Sequence, residues 1–256
     1  MNRADIGLVG LAASSILIAV AVAISMWRRL GLERDVVWSA FRALVQLLIV
    51  GFALQLVVDD DDPLFLSGIW LLVMHLFAAY TTWRRAKDVP SVFGLSLLAY
   101  SASALVTLGV LFGFRVYELE GRTIVPLAGI VVGNSMSATV LVSRRLFDAT
   151  KERREEIEGR LALGLSAADA FQPVLRESLR TALVPQIEST KAVGIIALPG
   201  AMVGLILAGV DPGDAVRVQI SVMYLVLGSV ATTTTVMGLG ISRKLFTNAD
   251  QLIRRD

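Results

Sequence analysis

The chain has no cysteine and only one histidine, His75, in 256 residues. That excludes disulfides, thiolate zinc sites, iron–sulfur ligation and cysteine nucleophiles, and it excludes a multi-imidazole metal centre. Charge is scarce too: Asp, Glu, Lys and Arg make up 18% of the residues, against about 25% in an ordinary globular domain. The formal net charge of +2 leaves no basic surplus for a nucleic-acid partner. No Gly-x-x-x-x-Gly-Lys-Ser/Thr loop is present, so nothing in the chain can cradle the phosphates of a nucleotide.

Hydrophobic residues make up 55% of the chain, and they gather in long runs. The runs are Ile6 to Met26, Val36 to Val58, Leu64 to Trp83, Ser91 to Phe114, Ile124 to Val142, Ala192 to Gly209 and Arg217 to Gly240. Each is near the roughly 20 residues that cross about 30 Å of hydrocarbon. They predict an all-α, polytopic membrane helix bundle of seven transmembrane helices, with 1–256 as a single transmembrane domain. The first run is longer than the ~7–15 residues of a signal-peptide core and is followed by Trp27, Arg28 and Arg29, which predicts a retained helix. None of the runs contains Asp or Glu. Proton- and sodium-coupled carriers need an ionisable group near the midplane, so the energy for any transport is expected from outside the bilayer core.

Most of the 24 lysines and arginines fall on one side of these spans, in 27–35, 84–90, 143–191 and the tail after 240. Only Arg3, Arg115, Arg122 and the boundary residue Arg217 fall on the other side, and Arg42 lies within a span. By the positive-inside rule the N-terminus is expected outside and the C-terminus in the cytoplasm, which in a bacterial cell means the inner membrane. The acidic run Asp59 to Asp62 then lies outside, as a solvated helix stop.

Only the cytoplasmic segment 143–191 is long enough to do more than connect spans. Its first part, KERREEIEGRLALG, reads as a helical extension of the fifth span into water, with Ile157, Leu161 and Leu163 as its apolar residues. Gly164 breaks that pattern, and Ser166 with Asp169 three residues on forms an N-terminal capping signal. Phe171, Val174, Leu175, Leu179 and Leu183 then recur at helical spacing, punctuated by Pro173 and Pro185. These features predict a short helix across the cytoplasmic ends of the bundle.

The piece EGRLALGLSAADAFQPVLRESLRTALVP resembles the coupling loop of ABC-transporter permeases. That pattern has a Glu, a Gly six residues on and an aliphatic residue ten beyond, met here by Glu158, Gly164 and Val174. Gly159 and Arg160 stand where the pattern has alanines, and Glu177 where it often has proline. Three further runs resemble the Fet-type iron-export ABC permease family, which includes plant aluminium-tolerance half-transporters: FRALVQLLIVGFAL (41–54), VPLAGIVVGNSMSATVL (125–141) and VGIIALPGAMVGLILAGVDPGDAVRVQISVMY (193–224). Leu205 stands where many members carry Gln.

The resemblance implies a permease subunit, not an enzyme, that exports iron or a related metal or chelate. It implies two permease copies facing two ATPase chains, with ATP and Mg2+ held by the partner and no cofactor in this chain. Glu158, Gly164, Ser166, Asp169, Phe171 and Val174 would be the coupling residues. A permease for a small organic solute, an embedded enzyme and an assembly protein remain open alternatives.

Counting about 1.5 Å per residue places Gln46, His75 and Asn134 each roughly 15 Å deep, in one layer. With Ser135 they are candidates for a polar translocation path, the alternative being interhelical hydrogen-bond glue. His75 beside Met74 is the one suggestion of a metal ligand, and one imidazole with a thioether is a small set. Arg42 is expected either to snorkel or to pair with Glu188, placed at the cytoplasmic entrance of the sixth span. Leu198, Pro199 and Gly200 predict a kink whose freed carbonyls could line the path, with Gly200 and Gly204 at helix contacts as the alternative. Gly129 and Gly133 predict another close-contact ridge, and Pro126 is expected in the first turn of its helix. Thr232 to Thr235 either hydrate a path or bond back to their own helix.

Overall fold

The computed structural model describes residues 8–58, 64–195, 198–247 and 249–253. Among them every regular element is helical: α1 (Leu8–Arg28), α2 (Glu33–Val58), α3 (Leu64–Arg85), α4 (Val92–Gly113), α5 (Gly121–Glu152), α6 (Arg154–Ala162), α7 (Ala167–Ala192), α8 (Gly200–Leu207) and α9 (Pro212–Leu245). Four of these, α3, α4, α5 and α9, are long and apolar enough to cross a membrane. Six of the seven apolar runs fall on one helix each: α1 to α5 and α9. The acidic run Asp59 to Asp62 lies outside the described residues.

The sixth run does not form one helix. α7 ends at Ala192, Gly194 adopts φ +89°, and helix resumes only at Gly200. The cause is local. Glycine reverses the chain in the left-handed region after the last turn, and proline disfavours helix at the residue before it. Pro199 is the residue that starts α8, at φ −64° and ψ 140°. Eight residues of α8 rise only about 12 Å, far short of the ~30 Å hydrocarbon core.

Two other expectations need correction. α5 begins at Gly121, so Pro126 sits in the second turn and not the first. The helix after Gly164 is not short: α7 runs for 26 residues through both Pro173 and Pro185. The expected extension of the fifth span is divided: α5 continues past Val142 to Glu152, and from Arg154 on the stretch forms the separate helix α6.

The core is built by α3, α4, α5 and α9, with α7 laid along α5 and α9. At the end where α5 and α9 terminate, Val142, Leu146, Ala149, Phe171, Val174 and Ile241 pack together. Toward the other end, Leu108, Leu127, Val131, Val226 and Val230 form a second cluster. Between them is a layer of buried hydroxyls. Ser103 Oγ donates to the Ser229 carbonyl at 3.0 Å, Ser135 Oγ donates to Ser229 Oγ at 3.3 Å, and Thr82 and Tyr100 share a bond of 2.7 Å. In the first cluster Gly240 permits close packing of α9 on α4, because a Cβ at that position would lie 2.6 Å from Leu95 Cδ2. α1 packs on α2, which meets the bundle through α5, while α8 packs on α9.

Candidate functional site: a capped elbow and a polar wall on α7

The turn between α6 and α7 is built from its own backbone. Leu165 N–H reaches the Arg160 carbonyl at 3.3 Å and Gly164 N–H the Leu161 carbonyl at 2.9 Å, with Gly164 at φ +87°. This is a Schellman termination, which needs a residue without Cβ strain at that position. Ser166 Oγ then accepts from Asp169 N–H at 3.2 Å and donates to the Asp169 carboxylate at 2.6 Å, so the capping signal is realised. The elbow is therefore rigid, and it presents apolar groups: Leu163 is 84% exposed and Leu165 43%.

The other coupling candidates divide. Phe171 and Val174 are buried, each 2% exposed, and anchor α7 to α5 and α9. Phe171 also packs edge-on to Phe246 at 5.6 Å, in the C-terminal turn closed by Thr247 N–H to the Gln251 carbonyl. Glu158 is bonded to Arg154 at 2.7 Å. Arg153, where α5 passes into α6, reaches Glu156 at 2.7 Å and Glu177 of α7 at 2.9 Å. The bond from Arg153 holds the Glu156 carboxyl below the usual glutamate range, and Glu156 in turn raises Arg153.

The midplane candidates do not converge on one point. His75 is buried, and its Nδ1 lies 2.7 Å from the Leu71 carbonyl, a bond within its own helix. Met74 lies against Gly129, where a Cβ would be 3.6 Å from its terminal methyl. Ser135 is enclosed in the hydroxyl layer. Gln46 and Asn134 are exposed, and Asn134 Nδ2 donates to the Ile130 carbonyl at 2.8 Å. Gly133, Gly200 and Gly204 have no neighbour within 4 Å of a Cβ, so the small-residue ridge is realised only at Gly129. Thr232, Thr233 and Thr234 bond back to carbonyls four residues earlier, at 2.7–2.8 Å. Among the described residues no three His, Asp or Glu side chains gather to hold a metal ion.

Arg42 and Glu188 are not brought together. The Arg42 guanidinium lies over the Phe77 ring at 5.9 Å, and Glu188 closes on Lys191, three residues on, at 2.8 Å. The reason is depth. Phe171 of α7 packs in one cluster with Ala149 of α5, and Leu183 packs in the next with Val131, so the two helices run antiparallel. Asn134 and Gln186 line the same cleft of about 180 Å3, with Pro185 and Val230. Asn134 is roughly 15 Å into the apolar run of α5. Two and five residues past Gln186, Glu188 and Lys191 lie about 3 Å and 7 Å further along α7, away from the elbow end of α5. Sequence reading missed this because Pro185 looked like a stop, and the polar stretch Gln186 to Lys191 looked like loop.

Four helices long and apolar enough to cross a membrane, packed around a buried hydroxyl layer, define a polytopic membrane protein. The family model described as Uncharacterised protein family (UPF0014) matches residues 8–246, and the chain belongs to that family. It is 34% identical over 253 residues to "Probable iron export permease protein FetB" of Escherichia coli, covering 99% of this chain and 97% of that one. It is 36% identical over 251 residues to "UPF0014 membrane protein STAR2" of Oryza sativa, covering 96% and 86%. "Protein ALUMINUM SENSITIVE 3" of Arabidopsis thaliana is 34% identical over 253 residues, covering 96% and 90%. No solved structure matches the chain.

Proposed function

We propose that the chain is the membrane subunit of an ATP-driven exporter of iron or a chemically related metal, working as a pair with itself and with two copies of a separate ATPase. ATP and Mg2+ belong to that partner. The observation that carries the reading is the elbow: a Schellman turn at Gly164 and a capped α7, presenting exposed Leu163 and Leu165 from a frame of ion pairs. A nucleotide-driven subunit moves a membrane domain through a stiff projection, and this turn is stiff and exposed. The name of the Escherichia coli relative supports iron as the cargo.

In this reading α1 to α5 and α9 cross the bilayer of the cytoplasmic membrane, and the end of α7 with α8 makes a broken sixth crossing, for seven in all. The N-terminus is outside and the basic elbow and C-terminus are cytoplasmic, as the lysine and arginine distribution requires. Reconstitution with the ATPase tests the proposal. Inverted vesicles are expected to accumulate iron only with ATP and both chains present. Accumulation without ATP, or movement of an organic solute with no metal movement, overturns it.

A further inference from the structure

The closing turns of α3 carry an aromatic stripe with a cation over each end. Phe77, Tyr80 and Trp83 are 48%, 48% and 42% exposed, and the Tyr80 and Trp83 rings lie 5.8 Å apart. The Arg42 guanidinium of α2 lies over the Phe77 ring at 5.9 Å, and the Lys87 ammonium lies over the Trp83 ring at 5.9 Å. Arg84, which is exposed, stands seven residues beyond Phe77 and so on the same face of α3, about 10 Å nearer its end. α2 packs on α1 and α5 and reaches the stripe through the long Arg42 side chain, which leaves the rings half open beside it. Among the described residues no carboxylate closes on Arg42, Arg84 or Lys87. Asp88, next along the chain, joins no ion pair, and Asp35, two turns before Arg42, does not reach it.

Arg42 is six residues into its apolar run, about 9 Å from the start of it, where a guanidinium without a carboxylate needs another anion or water. We propose that Arg42 and Arg84 bracket the phosphate of one anionic phospholipid, whose acyl chains lie on Phe77, Tyr80 and Trp83. The site rests on the reading that α2 and α3 cross the bilayer with these ends toward the cytoplasm. Phosphate suits the pair, because a guanidinium offers parallel N–H donors to two phosphate oxygens. Both arginines keep their stems against apolar surface while their heads reach for the headgroup layer, Arg42 from below and Arg84 from the end of the helix. The Tyr80 hydroxyl, between them on the same face, adds a donor. Charge selects the lipid: Arg42, Arg84 and Lys87 face the lone carboxylate of Asp88, and a choline headgroup brings a cation of its own. A lipid held here ties α2, and with it the hairpin of α1 and α2, to α3.

Trp83 itself reports the site once the other three of the four tryptophans, Trp27, Trp38 and Trp70, are replaced by Phe. In phosphatidylcholine vesicles, phosphatidylglycerol with brominated acyl chains is expected to quench Trp83 about threefold more strongly than brominated phosphatidylcholine at the same mole fraction. R42Q and R84Q are each expected to bring that ratio near one. R217Q, at the opposite end of the bundle and with a side chain 82% exposed, is expected to leave it unchanged. Undiminished quenching by brominated phosphatidylcholine shows that a variant folds and inserts, and R84Q, at an exposed position, decides the question if R42Q does not insert. Equal quenching by the two lipids in the parent chain overturns the site. So does a preference that survives both substitutions together, which is the mark of diffuse surface charge. Loss of the preference in millimolar glycerol phosphate also overturns it, since the site would then belong to a soluble anion. Quenching by neither lipid removes the crossing of α3 along with the site, whereas loss of the preference alone leaves the crossing and the export reading standing.

Discussion

The two halves of α7 live in opposite surroundings. Its first half buries Phe171, Val174, Ser178 and Ala182 against α5 and α9, while its second half lines a cleft with Pro185 and Gln186 and then carries the exposed pair Glu188 and Lys191. The same division runs through the molecule. α4, α5 and α9 lock through Ser103, Ser135 and Ser229 and through close approach at Gly240, whereas α8 is short and its glycines have open space around them. The difference separates a body that moves as a unit from a wall that holds polar groups in the bilayer. In the proposed function, the two halves, joined by one helix, would form a lever whose cytoplasmic end is the elbow.

Substitutions that add bulk sharpen the contrast most. Gly240→Val forces a Cβ toward Leu95 Cδ2 at 2.6 Å and is expected to cost about 1–3 kcal/mol, read as a lower midpoint of thermal unfolding in detergent. Gly204→Val meets nothing within 4 Å and is expected to leave that midpoint unchanged. Equal effects from both would erase the distinction between packed body and open wall.

Gly164→Ala comes next, because φ +87° penalises a Cβ by about 1–2 kcal/mol. Its expected signature is faster proteolysis at the elbow with the midpoint of the bundle little changed. Ser229→Ala leaves Ser135 Oγ without its partner and is expected to cost about 0.6 kcal/mol, typical of such a bond between membrane helices.

The smallest effect is pH dependence at the elbow. Glu156 titrates below the usual glutamate range because Arg153 is bonded to it. Its stabilising contribution is therefore present above the ordinary glutamate range and lost as pH falls through the depressed value. Elbow proteolysis is expected to rise on acidification, and Arg153→Gln to remove that rise.

Most of the architecture was legible in sequence, since runs of about 20 apolar residues have few other uses and six of them became single helices. The capping pair Ser166 and Asp169 and the break at Gly164 were legible because each satisfies a local backbone need. Depth was not. The polar residues from Gln186 to Lys191 look like loop by composition, yet α7 continues through them to Ala192. Pairing failed because Arg42 lies over the Phe77 ring while Glu188 closes on Lys191 three residues along its own helix. Phe171 and Val174 matched a coupling pattern by spacing, but spacing cannot tell the face that docks a partner from the face that anchors the helix.

The most direct test of the central claim places a photo-reactive side chain at Leu163, 84% exposed at the elbow, in native membranes. Cross-linking to a nucleotide-binding chain is expected, with a yield that changes when ATP is added. Capture of no such chain, together with labelling of that position only by reagent added from outside the cell, would contradict it.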